Sequence, residues 1–131
     1  MIGAGEALVA AALARLNAIS ALTGTYASAP LQAALPFATI DAGQESDWSH
    51  KTGAGREVRL SILLQDKGER QDRLRALMTE AEARITGLAP EAGGWRIVSL
   101  VFLRSRIEGG PREGWTGLID YRARMVAPPD G

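Results

Sequence analysis

The alternation of apolar and polar residues predicts four long strands. It is clearest at residues 56–65, where every second side chain is apolar. A period of two indicates a strand that buries one face and leaves the other in solvent. Weaker alternation predicts strands at residues 37–41 and 115–126. At residues 95–107 both faces carry apolar side chains, which predicts a central strand or one that is covered on both sides.

Helical spacing of apolar residues predicts two helices, at residues 4–20 and 69–86. The second helix has one apolar face and one charged face. The first has almost no charge, because Glu6 and Arg15 are the only charged side chains in residues 1–36. A surface helix of a monomer normally has a polar face. We therefore expect the first helix to lie deep in the fold or to be covered in part by another subunit.

The order of these elements is α-β-β-α-β-β. It predicts an α+β fold in a single domain, residues 1–131, with two helices packed on one face of a mostly antiparallel four-stranded sheet. Residues 36–66 are expected to form the first hairpin, and residues 44–56 its long polar loop. Residues 127–131 are expected to form a flexible tail.

The loop at residues 44–56 is the first candidate interface. It is rich in glycine and polar residues, and a hydrophobic hairpin displays it. A tryptophan in such a loop either folds back onto its own domain or anchors a partner, and both readings stay open. The side chains predicted to contact a partner are Glu45, Asp47, Trp48, Ser49, His50, Lys51 and Arg56.

The sheet face that lies opposite the helices is the second candidate interface. Two helices on one face leave the other face without a cover from the same chain. A half-apolar open face of this kind is a candidate assembly surface. Its predicted contact residues are Arg59, Ser61, Leu63, Arg122 and Arg124.

Composition excludes several kinds of chemistry. Fifteen basic and fifteen acidic side chains cancel, so the chain as a whole lacks a nucleic-acid-binding charge excess. With no cysteine and one histidine, disulfides, thiolate metal sites and multi-histidine sites within one subunit are excluded. The apolar run near the N-terminus is too short to span a bilayer and lacks a basic leader. We expect no membrane contact, and a protein that folds inside a cell.

Three motifs were tested as sites, and none is convincing. The glycines at residues 53–55 lead into a strand, whereas a phosphate loop leads into a helix. His50, Ser49 and Asp47 are triad residue types, but neighbours on one loop rarely reach triad geometry. Asp41, Glu45 and Asp47 lack the spacing of a calcium loop. We therefore expect no catalytic residue, no cofactor and no metal.

One stretch nevertheless resembles a known family. The motif Asp-Trp-Ser-x-Lys-Thr-Gly-x-Gly-Arg-Glu at residues 47–57, the strand after it and the order of elements resemble small phage tail-completion proteins. More closely, the chain is similar to the tail terminators of phage-like gene transfer agents, the particles made by alphaproteobacteria. The resemblance covers almost the whole chain.

The resemblance implies a structural role without enzymatic activity. Proteins of this kind form a homohexameric ring that caps the tail tube, ends its polymerisation and joins the tail to the head connector or stopper. DNA passes through the channel of the ring without specific binding. The implied partners are a second copy of the chain, the tail tube protein and the connector. The implied location is the head-tail junction of a phage-like particle, assembled in the bacterial cytoplasm.

Two alternatives remain open at this stage. One is another connector of the same particle, a stopper or an adaptor, although stoppers are more β-rich and adaptors more helical than this pattern. The other is a small enzymatic or ligand-binding α+β domain. Such a domain needs convergent polar residues in a pocket, and the sequence shows no convincing set.

Overall fold

The computed structural model describes residues 2–128 and contains two helices and six strands. The chain is α+β, as the pattern predicts. In chain order the elements are α1 (Ala4–Leu16), β1 (Thr25–Tyr26), β2 (Phe37–Asp47), β3 (Gly55–Asp66), α2 (Asp72–Thr86), β4 (Glu91–Ala92), β5 (Trp95–Gly110) and β6 (Gly114–Val126).

All six strands form one mixed sheet in the order β1-β2-β3-β6-β5-β4. The four long strands pair antiparallel, and β1 runs parallel to β2. The predicted four-stranded sheet is therefore incomplete. The two missing strands, β1 and β4, have two residues each. A strand of two residues is too short to show any alternation, so the pattern could not predict it.

The core lies between the helices and one face of the sheet. Four apolar residues of β3, Val58, Leu60, Ile62 and Leu64, occupy alternate positions and point into the core, as predicted. Helix α1 buries Leu8, Ala12 and Leu16, and α2 buries residues that include Leu77. Both helices pack against the same sheet face, which leaves the other face open. Helix α1 thus buries one face in the fold, and its exposed positions include the uncharged residues Ala10 and Ala14.

The first hairpin has a much shorter loop than predicted. Strand β2 continues to Asp47 and β3 begins at Gly55, so only residues 48–54 connect them. The prediction of a loop at residues 44–56 is wrong at both ends. Backbone N–H and C=O groups pair regardless of side-chain polarity, and the exposed side chains of residues 44–47 therefore do not end the strand. A β-bulge between Asp41 and Gln44 interrupts the register.

Strand β5 is not central, contrary to its predicted place. It lies one position from the sheet edge, and its outer neighbour β4 pairs only with Trp95 and Arg96. From Val98 to Gly110 the outer edge of β5 has no partner strand within residues 2–128. Its apolar side chains reach beyond the area that the helices cover, and several of them are exposed. The apolar pattern of β5 therefore does not mean that both of its faces are covered within this chain.

Three further boundaries differ from the prediction. Helix α1 ends at Leu16 rather than residue 20, and α2 begins at Asp72 rather than residue 69. At the C-terminus, the Ala127 N–H donates to the Ala54 carbonyl oxygen at 2.9 Å, which ties the start of the predicted flexible tail to the first hairpin. Residues 129–131 of that predicted tail lie outside the described residues.

Candidate interface surfaces

Trp48 packs back onto its own sheet. Its ring lies beneath the guanidinium of Arg124, with 5.4 Å from the guanidinium carbon to the ring centroid. The imidazole of His50 meets the same ring edge to face, with 4.5 Å between centroids. The indole is half-buried as a result. In the single chain, therefore, Trp48 folds back onto its own domain. The cation–π contact connects the loop to the open face.

The segment after Trp48 is a tight turn rather than a loose loop. The Ser49 hydroxyl donates to Asp47 Oδ1 at 2.6 Å and accepts the Gly55 N–H at 3.2 Å. The His50 N–H donates to the Gly53 carbonyl oxygen at 2.8 Å. Lys51 is at the tip and is exposed. The turn therefore projects a short polar tip whose backbone is held by its own hydrogen bonds.

Glu45 has a role within the chain that the sequence did not reveal. Its carboxylate oxygen Oε1 accepts the Gly5 N–H at 2.8 Å. Gly5 lies in the first turn of α1, where backbone N–H groups lack helical partners and the helix dipole favours a negative charge. Arg56, by contrast, is exposed and lies opposite Asp47 in the strand register. Of the residues predicted for the loop, Glu45 therefore caps α1 and Trp48 packs on the sheet. The others are exposed: Asp47, Ser49, His50, Lys51 and Arg56.

The open face contains two arginines placed directly opposite each other. Arg59 of β3 pairs in register with Arg122 of β6. Arg122 Nε is buried without a hydrogen bond and lies 3.9 Å from Glu57 Oε1. Arg59 is exposed and makes no ion pair within residues 2–128. Like charges directly opposite on a sheet are unfavourable, so this position suits an anionic partner.

The other predicted residues of this face have partners on the sheet. Arg124 Nε donates to Glu57 Oε1 at 3.1 Å. The Ser61 hydroxyl donates to Asp120 Oδ1 at 2.7 Å. Leu63 is half-buried opposite Leu118. The structure thus brings all five predicted residues onto one surface, which lies opposite the helices, and the loop joins that surface through Trp48.

Sequence reasoning missed a third surface, on β5. Val98, Val101 and Phe102 are 46%, 37% and 46% exposed. The sequence did carry a signal for this surface, because apolar residues occupy both faces of a strand too long for two short helices to cover. Interpreting that pattern as a central strand assigned these side chains to the core.

Asp66 and Tyr121, whose pKa is shifted, are buried rather than exposed on these surfaces. Asp66, at the end of β3, is 4% exposed, and a hydrogen bond from the Arg73 side chain lowers its pKa below the ordinary value. Arg73 Nε donates to Asp66 Oδ2 at 2.8 Å. Burial raises the pKa of Tyr121 to about 12. Asp66 and Arg73 join the sheet to α2, which is a structural task.

Two searches of residues 2–128 gave no candidates. No helix there is both long enough and apolar enough to cross a membrane. No group of three or more histidine, aspartate or glutamate side chains there is placed to hold a metal ion.

The described residues present three candidate contact surfaces. These are a projecting turn, an open sheet face and a strand edge without a partner strand. The family described as "Tail completion protein gp17" matches residues 7–126, and the chain belongs to this family. Among curated proteins there is no significant match. One solved structure, described as "Virion of native gene transfer agent (GTA) particle", contains a chain of the same fold, with a TM-score of 0.66 and 25% identity.

That match covers 93% of this chain and 96% of the virion chain. The family is one of phage structural proteins rather than enzymes. The protein is therefore a tail-related structural protein of a phage-like virion particle. The resemblance inferred from the motif at residues 47–57 is confirmed at this level.

Proposed function

We propose that this protein forms a ring that caps the tail tube, ends tube polymerisation and joins the tail to the head connector. The observation that carries the proposal is the match to a gene transfer agent virion chain over nearly the whole length of both chains. A homohexameric ring with DNA passing through its channel is the form that we propose, and assembly takes place in the bacterial cytoplasm.

The exposed surfaces of the chain support a ring. A cyclic ring needs two different, complementary surfaces on every subunit, and contacts above and below the ring need further ones. The turn at residues 48–54 supplies a polar projection for the tail tube protein or the connector. We assign that contact to the exposed residues of the loop, which are Asp47, Ser49, His50, Lys51 and Arg56, with Trp48 recruited from its place on the sheet. Glu45 supports the contact indirectly by holding α1 against β2.

The open face supplies the second contact surface. Arg59 is exposed, lies opposite Arg122 and makes no ion pair within the described part of the chain, so it adds a positive charge to this face. Ser61, Leu63 and Arg124 lie on the same face. We assign this face to an anionic partner of the assembled particle.

Mass in solution, measured by native mass spectrometry with and without purified tail tube protein, tests the ring. We expect a closed oligomer or a complex with the tube, and shorter tubes in electron micrographs when the protein is added to polymerising tube protein. A chain that stays monomeric and leaves tube length unchanged would refute the cap. Tube protein must be present, because an assembling tube can act as the template for the ring.

Particle assays test the two surfaces. Arg59→Glu places a carboxylate opposite Arg122, so the subunit should fold at least as stably as the wild type. We nevertheless expect fewer tailed particles, because the anionic partner is repelled. Arg75→Glu is the matched control, since Arg75 is exposed on α2. Equal yields from the two variants would remove the open face from the proposal.

Trp48→Ala tests the loop in the same way. It should fold natively by circular dichroism and lower tail joining. A normal yield of joined particles would show that the indole serves only its own sheet.

A further inference from the structure

Two edges of the sheet are free over the same levels. On one side, β1 pairs with only Ala38 and Thr39 of β2, so the outer edge of residues 40–47 has no partner strand among residues 2–128. On the other side, β4 covers only the start of β5. Following the register across the sheet, Asp41 is level with Arg104 and Asp47 is level with Ile97. Each free edge can therefore accept a strand of the other's length.

The two edges also differ in charge. Residues 40–47 contain three acidic residues, Asp41, Glu45 and Asp47, and no basic residue. The free part of β5 contains Arg104 and Arg106, with Glu108 as its single acidic residue. Pairing two copies through identical edges would bring like charges together, whereas pairing unlike edges brings opposite charges together. At the level of Asp41, the facing residue is Arg104, whose side chain is 67% exposed.

Strand direction permits this pairing. From β2 to β3 to β6 to β5 every neighbour is antiparallel, so β2 and β5 run in opposite directions at the two sides of the sheet. When a neighbouring copy is related by rotation about an axis along the strands, its β2 lies antiparallel to β5. The alternation then continues across the junction without a break.

An aromatic side chain and a cleft lie at matching positions. Phe102 projects from the helix side of β5, where its ring meets Tyr121 edge to face at 6.0 Å between centroids. Its level in the sheet is that of the β-bulge on β2, which contains Ala42. Beside this bulge, on the same side of the sheet, is a cleft of about 320 Å³ that is lined by the apolar residues Val9, Ala27, Ile40 and Ala42 and by the acidic residues Glu6, Asp41 and Glu45. An exposed aromatic that enters a cleft is a typical interface anchor, and the apolar part of this lining can receive the ring.

From these observations we infer that neighbouring copies join edge to edge, with residues 40–47 of one chain added to residues 98–105 of the next. Phe102 of the chain that contributes residues 98–105 then fills the cleft between α1 and β2 of the chain that contributes residues 40–47. The contact is heterologous, so it builds a ring when the rotation closes. This inference rests on the proposed ring and specifies which surfaces hold it together. The open face of the sheet stays available for other partners.

Cross-linking tests the inference, because the chain has no cysteine of its own. Gln44 and Val101 are exposed, lie on the open face and share one level of the sheet. Copies carrying Gln44→Cys are mixed with copies carrying Val101→Cys and treated with a short bismaleimide, with and without tail tube protein. We expect a heterodimer as the main product. The double variant Gln44→Cys/Val101→Cys should give a ladder that stops at the ring size.

The matched control replaces Gln44→Cys by Leu31→Cys, since Leu31 is fully exposed and lies outside residues 40–47 and 98–110, which form the two edges. A heterodimer yield no higher than this control would overturn the inference. Preferential linkage of identical variants would overturn it too, because that result means pairing through like edges. Introducing Arg104→Glu into the Val101→Cys copy should lower the heterodimer yield about five- to tenfold. Introducing Asp41→Lys into the copy that carries Gln44→Cys should restore the heterodimer yield.

The outcomes separate this inference from the proposed function. A protein that shortens tail tubes without linking Gln44→Cys to Val101→Cys is a cap whose ring is built in another way. A protein that forms the cross-linked ladder but leaves tube length unchanged has the edge contact and lacks the capping role.

Discussion

The carboxylate of Asp66 offers a sharp test of how the sheet holds α2. It lies at the end of β3 and is almost fully buried. It accepts the Lys67 N–H at 2.8 Å and the Arg73 Nε–H at 2.8 Å, and the second Arg73 nitrogen bonds its other oxygen. Asp66→Asn keeps the shape of the side chain and removes the charge. The side-chain amide nitrogen of the asparagine then faces a hydrogen-bond donor at a position where a carboxylate oxygen of Asp66 accepts a hydrogen bond.

The size of the effect follows from these contacts. Hydrogen bonds to a charged group are worth about 1.5–3 kcal/mol, and an unsatisfied buried donor adds to the loss. The Arg73 side chain is 57% exposed and can turn to water, which places the expected loss for Asp66→Asn at about 1–3 kcal/mol. Because a domain is stable by only about 5–15 kcal/mol, such a loss is easily measured.

The same contacts predict the pH dependence. The hydrogen bond from Arg73 lowers the pKa of Asp66 in the folded chain below 3.8. As pH falls, the unfolded chain therefore takes up the proton first, and stability decreases. The contribution of Asp66 is complete above its unfolded pKa and is lost as pH falls through the folded pKa.

Urea denaturation of wild type and Asp66→Asn at neutral pH and at about pH 2.5 measures both effects. We expect a large difference in unfolding free energy at neutral pH and a small one in acid. Glu80→Gln is the control, because Glu80 makes only a solvent-exposed pair with Arg84 at 3.6 Å, and its loss should stay below about 0.5 kcal/mol. An Asp66→Asn difference that is equal at both pH values would refute the argument.

Two further predictions concern the core. Because burial raises the pKa of Tyr121 to about 12 from 10.0, the folded chain holds that proton more tightly, and stability should fall by about 2–3 kcal/mol as pH rises across this interval. Tyr121→Phe should flatten the curve in alkaline urea titrations, and an unchanged slope would contradict the assigned burial. Leu77→Asp, at a position 2% exposed, should unfold the domain because it buries an unpaired charge. Leu31→Asp, at a fully exposed position, should leave the circular dichroism spectrum native, and a native spectrum for both variants would mean that Leu77 lies outside the core.

Strand β3 and the loop after β2 show how far the pattern reaches. In β3 the alternation predicts the four buried apolar side chains Val58, Leu60, Ile62 and Leu64 correctly, since a central strand of a two-layer fold has helices on one side only. It does not predict the burial of Asp66 at the end of the strand. At residues 44–47 the same reasoning fails, because polar side chains do not prevent backbone pairing. Trp48 could not be placed from the sequence either. Its position depends on Arg124, which is far away in the chain and adjacent in the sheet.

Strand β5 shows what the hydrophobic pattern cannot predict. Its apolar residues on both faces are visible in the sequence, but the pattern cannot tell a covered face from an exposed one. That difference depends on the length and position of α1 and α2, which leave the outer part of β5 uncovered. The free edges that carry the further inference likewise exist only because β1 and β4 are too short to cover β2 and β5.

The sequence by itself determined the α+β class, the alternating core face of the long strands and, through one motif, the resemblance to tail-completion proteins. These depend on local periodicity and on residue identity, which a chain displays before it folds. Tertiary structure alone decided the strand order, the opposition of Arg59 and Arg122, the helix-capping contact of Glu45 and the matching levels of the two free edges. Each of these depends on which distant strands become neighbours, and that is fixed only when the whole sheet packs against its helices.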